Sequence, residues 1–333
     1  MKGIFLGRKE VIDTVYLEST KNTLRENIDI DTEYTLPTDE IYSNAELLSD
    51  IDVVFSSWGM PTPDGTVVSK LFPKLKAIYY AAGSVQTFAG PFFENGVKIY
   101  SAWAANGVPV AEYTVAQIIL ANKGFFWSSR YQSVGNRERA LEKRADIKGN
   151  FNSRVGLIGV GMIGSLVAEM LKSYRLEVLA FDPFLSDERA KKLDVKKASL
   201  EEIFSSCGTV SNHLADNDQT AGMLNGKLFD RMSDTATFIN TGRGRQVDEK
   251  ALAEFMENHP FATALLDVTF PEPPEENSPL YTLPNVILSP HIAGSIGNEV
   301  SRMGEYMTEE FLRVQKGEKP LYEVKPEMLK TMA

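Results

Sequence analysis

The chain carries a single cysteine, Cys207, in 333 residues. One thiol excludes an intramolecular disulfide and any cluster of thiolate metal ligands, and no metal site is expected. Basic residues are also scarce, 35 Lys and Arg against 45 Asp and Glu, for a net charge of -10. No basic block offsets that background, so nucleic acid and anionic membrane surfaces are excluded as partners. The densest basic stretch, Arg137 to Lys148, is interrupted by Glu138, Glu142 and Asp146 and reads as a solvated helix face. No run of about 18 apolar residues occurs, so no membrane span is expected. The opening Met1 to Gly7 is too short an apolar run for a signal peptide and reads as a first buried strand. Together with the lone cysteine, this points to a reducing cytoplasm.

What is present is an ordinary globular composition, 43% hydrophobic and 24% charged. At this length two domains are expected, because single cores stop growing near about 250 to 300 residues. Short apolar runs at Ile4 to Leu6, Val53 to Phe55, Ala77 to Ala81 and Val97 to Tyr100 alternate with helix-like segments at Val11 to Arg25, Ala45 to Leu48 and Val67 to Leu71. A second series starts with a strand at Arg154 to Ile158, a helix at Met162 to Tyr174 and a strand at Glu177 to Phe181. It continues through strands near Thr209 to Asn212, Thr237 to Ile239, Ala264 to Asp267 and Val286 to Leu288. Both halves are therefore α/β with largely parallel sheets. Between them, Val108 to Lys123 has the broad apolar face of a bridging helix, and Asn298 to Val314 has the single stripe of a last packing helix.

Only the second half carries a nucleotide signature. Gly159-Val160-Gly161-Met162-Ile163-Gly164 occupies a strand-to-helix turn. There Gly159 permits the tight turn, Gly161 admits a pyrophosphate to the backbone, and Gly164 allows close helix-to-strand packing. The helix N-terminus adds N–H donors and partial positive charge. Asp182 ends the strand after that helix, where a carboxylate accepts ribose hydroxyls and repels a 2′-phosphate. NAD is favoured over NADP.

Three further residues follow at strand ends, where an open sheet binds ligands. Arg243, in Asn240-Thr241-Gly242-Arg243-Gly244, offers a planar fork for a carboxylate and a charge to polarise a carbonyl. His291, in Ser289-Pro290-His291, is the natural proton donor near neutral pH, and Glu272 is placed to hold its tautomer. A hydride donor, a proton donor and a cation are what reduction of a keto acid requires. His213 reads as structural at a strand end, and His259 as exposed and idle in a polar turn. Each of these residues taken singly is also compatible with a surface ion pair; their order and strand-end positions carry the joint reading.

At these residues the chain resembles the D-isomer-specific 2-hydroxyacid dehydrogenases, most strongly from about Asn106 to Gly294. The segments that carry the resemblance are Val110 to Ala116, the glycine turn with Asp182, Asn240 to Asp248, and Ser278 to Gly294. The resemblance implies Arg243, Glu272 and His291 as the catalytic residues. It implies Met162, Ile163, Thr220, Thr241, Gly242 and Asp267 as cofactor contacts, beside the glycines and Asp182. Gly83, Ser84 and Val85 match the loop whose backbone N–H groups hold the substrate carboxylate, and Trp58 lies where relatives line the substrate pocket.

The implied architecture is two Rossmann-like parallel-sheet domains with an interdomain active-site cleft that closes over the substrate. Residues 1–103 with 297–333 form a flavodoxin-like substrate domain, and 104–296 the NAD-binding domain. A homodimer built on the bridging helix and its neighbours is also implied. One departure is Ala215, where the family often has proline two residues after the position of His213. Arg245 adds a second guanidinium beside Arg243, to which the sequence assigns no role. The expected activity is NAD-dependent interconversion of a 2-keto acid and a D-2-hydroxy acid. Its rivals are oxidation of phosphite or formate on the same scaffold, and a non-catalytic NAD(H)-sensing protein. Glu272 weighs against formate, since relatives that oxidise it usually pair the histidine with glutamine.

Overall fold

The computed structural model describes residues 1–330 and divides into two compact units. One is Met1–Gly107 joined by the chain from Ser295 onward, and the other is Val108–Gly294. The first seam falls inside one continuous helix, Trp103–Ala121, a few residues later than the sequence-based boundary. Residues 331–333 of the expected 297–333 segment lie outside the described residues.

The first unit is built on a six-stranded sheet: β1 Gly3–Leu6, β2 Thr35–Leu36, β3 Val53–Ser56, β4 Ala77–Tyr80, β5 Lys98–Ser101 and β13 Glu323–Val324, in the order β13-β5-β4-β3-β1-β2. β13 alone runs antiparallel, against β5. Strands β1, β3 and β4 are buried throughout, as expected when helices cover both faces of a parallel sheet. One face carries Phe5, Phe55, Tyr79 and Tyr100 against Met303, Met307 and Phe311 of the helix Val300–Gln315. Phe311 meets Phe55 and Tyr79 edge-on, with ring centroids 5.3 and 5.4 Å apart. The other face packs Val54, Ile78 and Ile99 on Val68, Phe88 and Phe92.

The segment Val11 to Arg25, read from sequence as one helical stretch, is two helices, Lys9–Val15 and Glu18–Asn27. Tyr16 breaks it by leaving the helical backbone so that its ring reaches the core beside Phe5. Its hydroxyl lies 3.3 Å from the Tyr79 carbonyl. Near the end of the chain, the fully buried Glu310 accepts backbone N–H bonds from Leu321 and Tyr322 at 2.7 and 2.8 Å, which aligns β13 on the sheet.

The second unit is a seven-stranded, wholly parallel sheet: β6 Phe151–Ile158, β7 Arg175–Phe181, β8 Lys196–Lys197, β9 Thr209–Asn212, β10 Thr237–Asn240, β11 Thr263–Leu266 and β12 Val286–Leu288. Its order is β12-β11-β10-β9-β6-β7-β8. The strand order reverses between β6 and β9, and ligands of open α/β sheets bind outside the carboxyl ends at such a point. β6 begins three residues earlier than its apolar core, and the helix after it, Met162–Leu171, ends three residues before the expected Tyr174 because β7 already starts at Arg175. Arg137 to Lys148 forms the short helix Arg137–Leu141 and a turn, and the Arg139 guanidinium sits 4.3 Å above the Phe261 ring. Among the described residues, no helix is long and apolar enough to cross a membrane.

Candidate active site

The glycine turn leaves β6 under two strict packing constraints. Gly159 has φ +84, and a Cβ there would lie 2.7 Å from the backbone of His213. A Cβ on Gly164 would lie 2.1 Å from the Gly159 carbonyl oxygen. Gly161 differs: it is the N-cap of Met162–Leu171, and nothing lies within 4 Å of a Cβ built there. The open space over a ten-residue helix N-terminus is the cradle a pyrophosphate needs, so these residues fit a dinucleotide.

Asp182 follows β7, and its carboxylate accepts the Val160 N–H at 2.7 Å and the Phe184 N–H at 2.8 Å. The carboxylate is thereby fixed beside the turn. Arg189 was not anticipated from the sequence. Its guanidinium donates to Ser165 Oγ at 2.7 Å and to the Gly161 carbonyl at 3.3 Å, so a cation stands at the phosphate end of the turn. It comes from a separate helix, Asp187–Leu193, and no local spacing marks it.

After β9, His213 lies between two hydroxyls, 3.0 Å from Ser211 Oγ and 3.4 Å from Thr241 Oγ1. Burial pulls its imidazole down to about 4, so the ring is neutral at physiological pH. Thr241 Oγ1 is also 3.2 Å from Thr114 Oγ1 of the long helix. Thr220 uses its hydroxyl within its own loop, donating to the Ala215 carbonyl at 2.7 Å. Arg245 holds the same loop through Asp216 at 2.9 Å and Asp218 at 3.1 Å. It is a brace for the loop after β9.

Arg243 stands on a loop shaped by three buried carboxamides. Asn212 donates to Asn240 at 3.0 Å and to Gln246 at 2.6 Å; Gln246 accepts the Arg243 N–H at 3.2 Å, and Asn240 donates to the Arg243 carbonyl at 3.1 Å. Buried amides left unpaired are costly, so this closed network fixes the loop after β10. Burial lowers the Arg243 pKa, opposed by the Asp216 and Glu272 carboxylates. A Cβ on Gly244 would come within 2.0 Å of the Thr269 carbonyl carbon. The arginine loop and the chain leading to Glu272 are therefore in contact.

His291 Nδ1 lies 2.7 Å from Glu272 Oε1. With the carboxylate accepting at Nδ1, Nε2 is the free ring nitrogen. His291 has φ +54, a conformation uncommon outside glycine, and its N–H donates to the Asp267 carbonyl at 3.0 Å. The Asp267 side chain, 4% exposed, accepts Ser289 Oγ at 2.6 Å and the N–H groups of Ile292 and Ala293 at 2.9 Å each. Tyr113 OH is 3.1 Å from Ser289 Oγ. Asp267, expected as a cofactor contact, anchors the histidine loop in the structure. Glu249 accepts the N–H of Phe270, two residues before Glu272, at 2.7 Å, and burial pushes its carboxyl up to about 7.

His259 is not the exposed residue expected from sequence. It is partly enclosed, stacks on Phe255 at 4.1 Å between ring centroids and lies 3.0 Å from Asp234.

In the first unit, Trp58 follows β3 and is 38% exposed, and Gly83, Ser84 and Val85 follow β4. Ser101 Oγ donates to the carbonyls of Ala82 and Gly83 at 2.9 and 2.5 Å, and Ser57 Oγ to that of Ala81 at 2.8 Å. These hydroxyls tie the loops after β3 and β4 to the sheet.

Comparisons with known proteins bear on the same segments. Residues 115–293 match the family model described as D-isomer specific 2-hydroxyacid dehydrogenase, NAD binding domain. A D-3-phosphoglycerate dehydrogenase of Archaeoglobus fulgidus is 31% identical over 224 residues, which is 67% of this chain but 42% of that protein. A glyoxylate reductase of Korarchaeum cryptofilum is 28% identical over 287 residues, 86% of each chain. Several relatives of the first kind are therefore matched over less than half of their length. Among solved structures, a phosphoglycerate oxidoreductase from Rhizobium etli superposes with a TM-score of 0.81 over 98% of this chain and 99% of that one, at 20% identity, which speaks to the fold alone. The family match covers more than half of the chain and contains the glycine turn, the arginine loop and the Glu272–His291 pair. The chain belongs to the D-isomer specific 2-hydroxyacid dehydrogenase family, and residues 115–293 are its NAD-binding domain.

Proposed function

We propose that this chain is an NAD-dependent dehydrogenase interconverting a 2-keto acid and a D-2-hydroxy acid. The observation that carries the reading is the 2.7 Å pair of His291 Nδ1 and Glu272 at the carboxyl edge of the sheet that also bears the glycine turn. Nicotinamide, when bound, supplies or accepts the hydride. Gly159, Gly161, Met162, Ile163 and Gly164 are assigned to the pyrophosphate, Asp182 to the ribose, and Thr220, Thr241, Gly242 and Asp267 to the remaining cofactor contacts.

His291 Nε2 gives a proton to the carbonyl oxygen in reduction and takes it back in oxidation, while Glu272 holds Nδ1–H and orients the ring. Arg243 polarises the carbonyl and binds the carboxylate, which is also assigned to the backbone N–H groups of Gly83, Ser84 and Val85. Trp58 is assigned to the substrate side chain. Exposed Leu120, Phe125, Val134 and Phe151 on the long helix and the segment after it support a homodimer, which sedimentation tests.

The deciding experiment is NADH oxidation against a panel of 2-keto acids with wild type and His291→Ala. Turnover is expected to fall by at least about 10²-fold while NADH binding is kept. Undiminished turnover would overturn the assignment.

A further inference from the structure

The carboxyl ends of β1, β3 and β4 lie side by side, and their register sets Leu6, Ser56 and Tyr80 in one row. Two residues further along each strand stand Arg8, Trp58 and Ala82, the last leading into Gly83-Ser84-Val85. The Arg8 side chain leans across this row. Its Nε lies 4.0 Å from where a Cβ on Gly59 would be, in the loop after β3. It therefore points from β1 toward the loop after β3, away from β2, the strand followed by the carboxylates Asp39 and Glu40. Gly59 has φ +92 and carries no side chain to obstruct that path.

The two neighbouring cations are used differently. Lys9 pairs with Asp13 at 3.2 Å and reaches the Glu33 carbonyl at 3.1 Å. Arg8 is exposed, and among the described residues its guanidinium makes no hydrogen bond or ion pair. The loops at the other two positions are held by the Ser57 and Ser101 hydroxyls, so the row is pre-set.

We propose that Arg8 is a specificity residue that takes a second anionic group, a carboxylate or a phosphate, at the far end of the 2-keto acid. The assignment rests on the reading that the Gly83–Val85 backbone holds the first carboxylate. Two strand spacings, about 10 Å, separate the strand ends at Leu6 and Tyr80, a span that two anionic groups on one short carbon chain bridge with a contact at each end. A guanidinium fork binds either group in a bidentate manner, and Trp58 stands between the two ends to meet the connecting carbons.

The test compares kcat and KM of the full chain for monoanionic keto acids, pyruvate and 2-oxobutyrate, with those for oxaloacetate and 2-oxoglutarate in one arm and 3-phosphohydroxypyruvate in another. The wild type is expected to prefer at least one dianion by about tenfold or more in kcat/KM, and the arm that shows the preference identifies carboxylate or phosphate. Arg8→Gln is expected to lower the dianion-to-monoanion ratio by about 10- to 100-fold, mainly through KM, the loss of one charge-assisted contact. Arg8→Lys is expected to regain part of it. A ratio unmoved by Arg8→Gln, in protein that still binds NADH, overturns the role of Arg8 and leaves the dehydrogenase reading standing. Absence of turnover on every keto acid of either charge overturns both.

Discussion

Ser289, before His291, donates a 2.6 Å hydrogen bond to the buried Asp267 carboxylate, which also receives the N–H groups of Ile292 and Ala293 just after it. The backbone of His291 is held in a left-handed conformation by this arrangement, so the direction of its imidazole depends on a residue that does not touch the ring.

Removing the donor should cost less than removing the acceptor. Ser289→Ala deletes one hydrogen bond to a charged group, worth about 1–3 kcal/mol, and Asp267→Ala strands three donors, worth about 2–4 kcal/mol. Urea unfolding measures both, and kcat should fall further in Asp267→Ala than in Ser289→Ala. Equal stability of Asp267→Ala and wild type would mean that the loop is held by something else.

The glycine turn separates folding from binding. Gly164→Ala puts a methyl group 2.1 Å from a carbonyl oxygen and is expected to lower the melting temperature and NADH affinity together. Gly161→Ala enters open space, so the fold is expected to be kept and NADH affinity alone to fall. Calorimetry alongside fluorescence titration distinguishes them, and a Gly161→Ala protein with unchanged affinity would remove the pyrophosphate from this turn.

Glu249 supplies a pH dependence with a definite sign. Its carboxyl is raised by burial from 4.5 to about 7, against the opposing Phe270 N–H bond. Between those values the folded chain binds more protons than the unfolded chain, so this group's contribution to stability falls as pH rises through that window. Glu249→Gln, which cannot ionise, should gain stability relative to wild type by about 1–3 kcal/mol between about pH 5 and pH 8. Urea unfolding at the two pH values gives the difference. A constant difference would place the Glu249 titration outside the window.

The parts legible in sequence are those whose physics is local. The glycines are required by a turn geometry written within six residues, and Asp182 stands at a strand end that its own apolar run announces. Two-residue strands such as β2, β8 and β13 are too short to show a pattern, and only neighbouring strands create them. Arg189, Arg245 and Glu249 were opaque for another reason. Each acts on a loop brought beside it by the fold, across 28, 29 and 21 residues respectively. Separation in sequence likewise concealed the His259–Asp234 pair and the hold of Asp267 on the histidine loop. The break at Tyr16 was hidden because helix propensity continues through it, and only the core explains why the chain departs there.

The helix Val300–Gln315 has a consequence for the order in which the chain matures. Val300, Met303, Met307 and Phe311 complete one face of the first unit's core, and Gly304 approaches the Val15 carbonyl so closely that a Cβ would lie 2.2 Å from it. Val108–Gly294 is one uninterrupted stretch of chain, and all its strands precede Ser295 in the order of synthesis. The unit begun at Met1 must wait, with Phe55 and Tyr79 uncovered on that face, until this helix is made. The unit that is translated first is the one whose core residues are all present last.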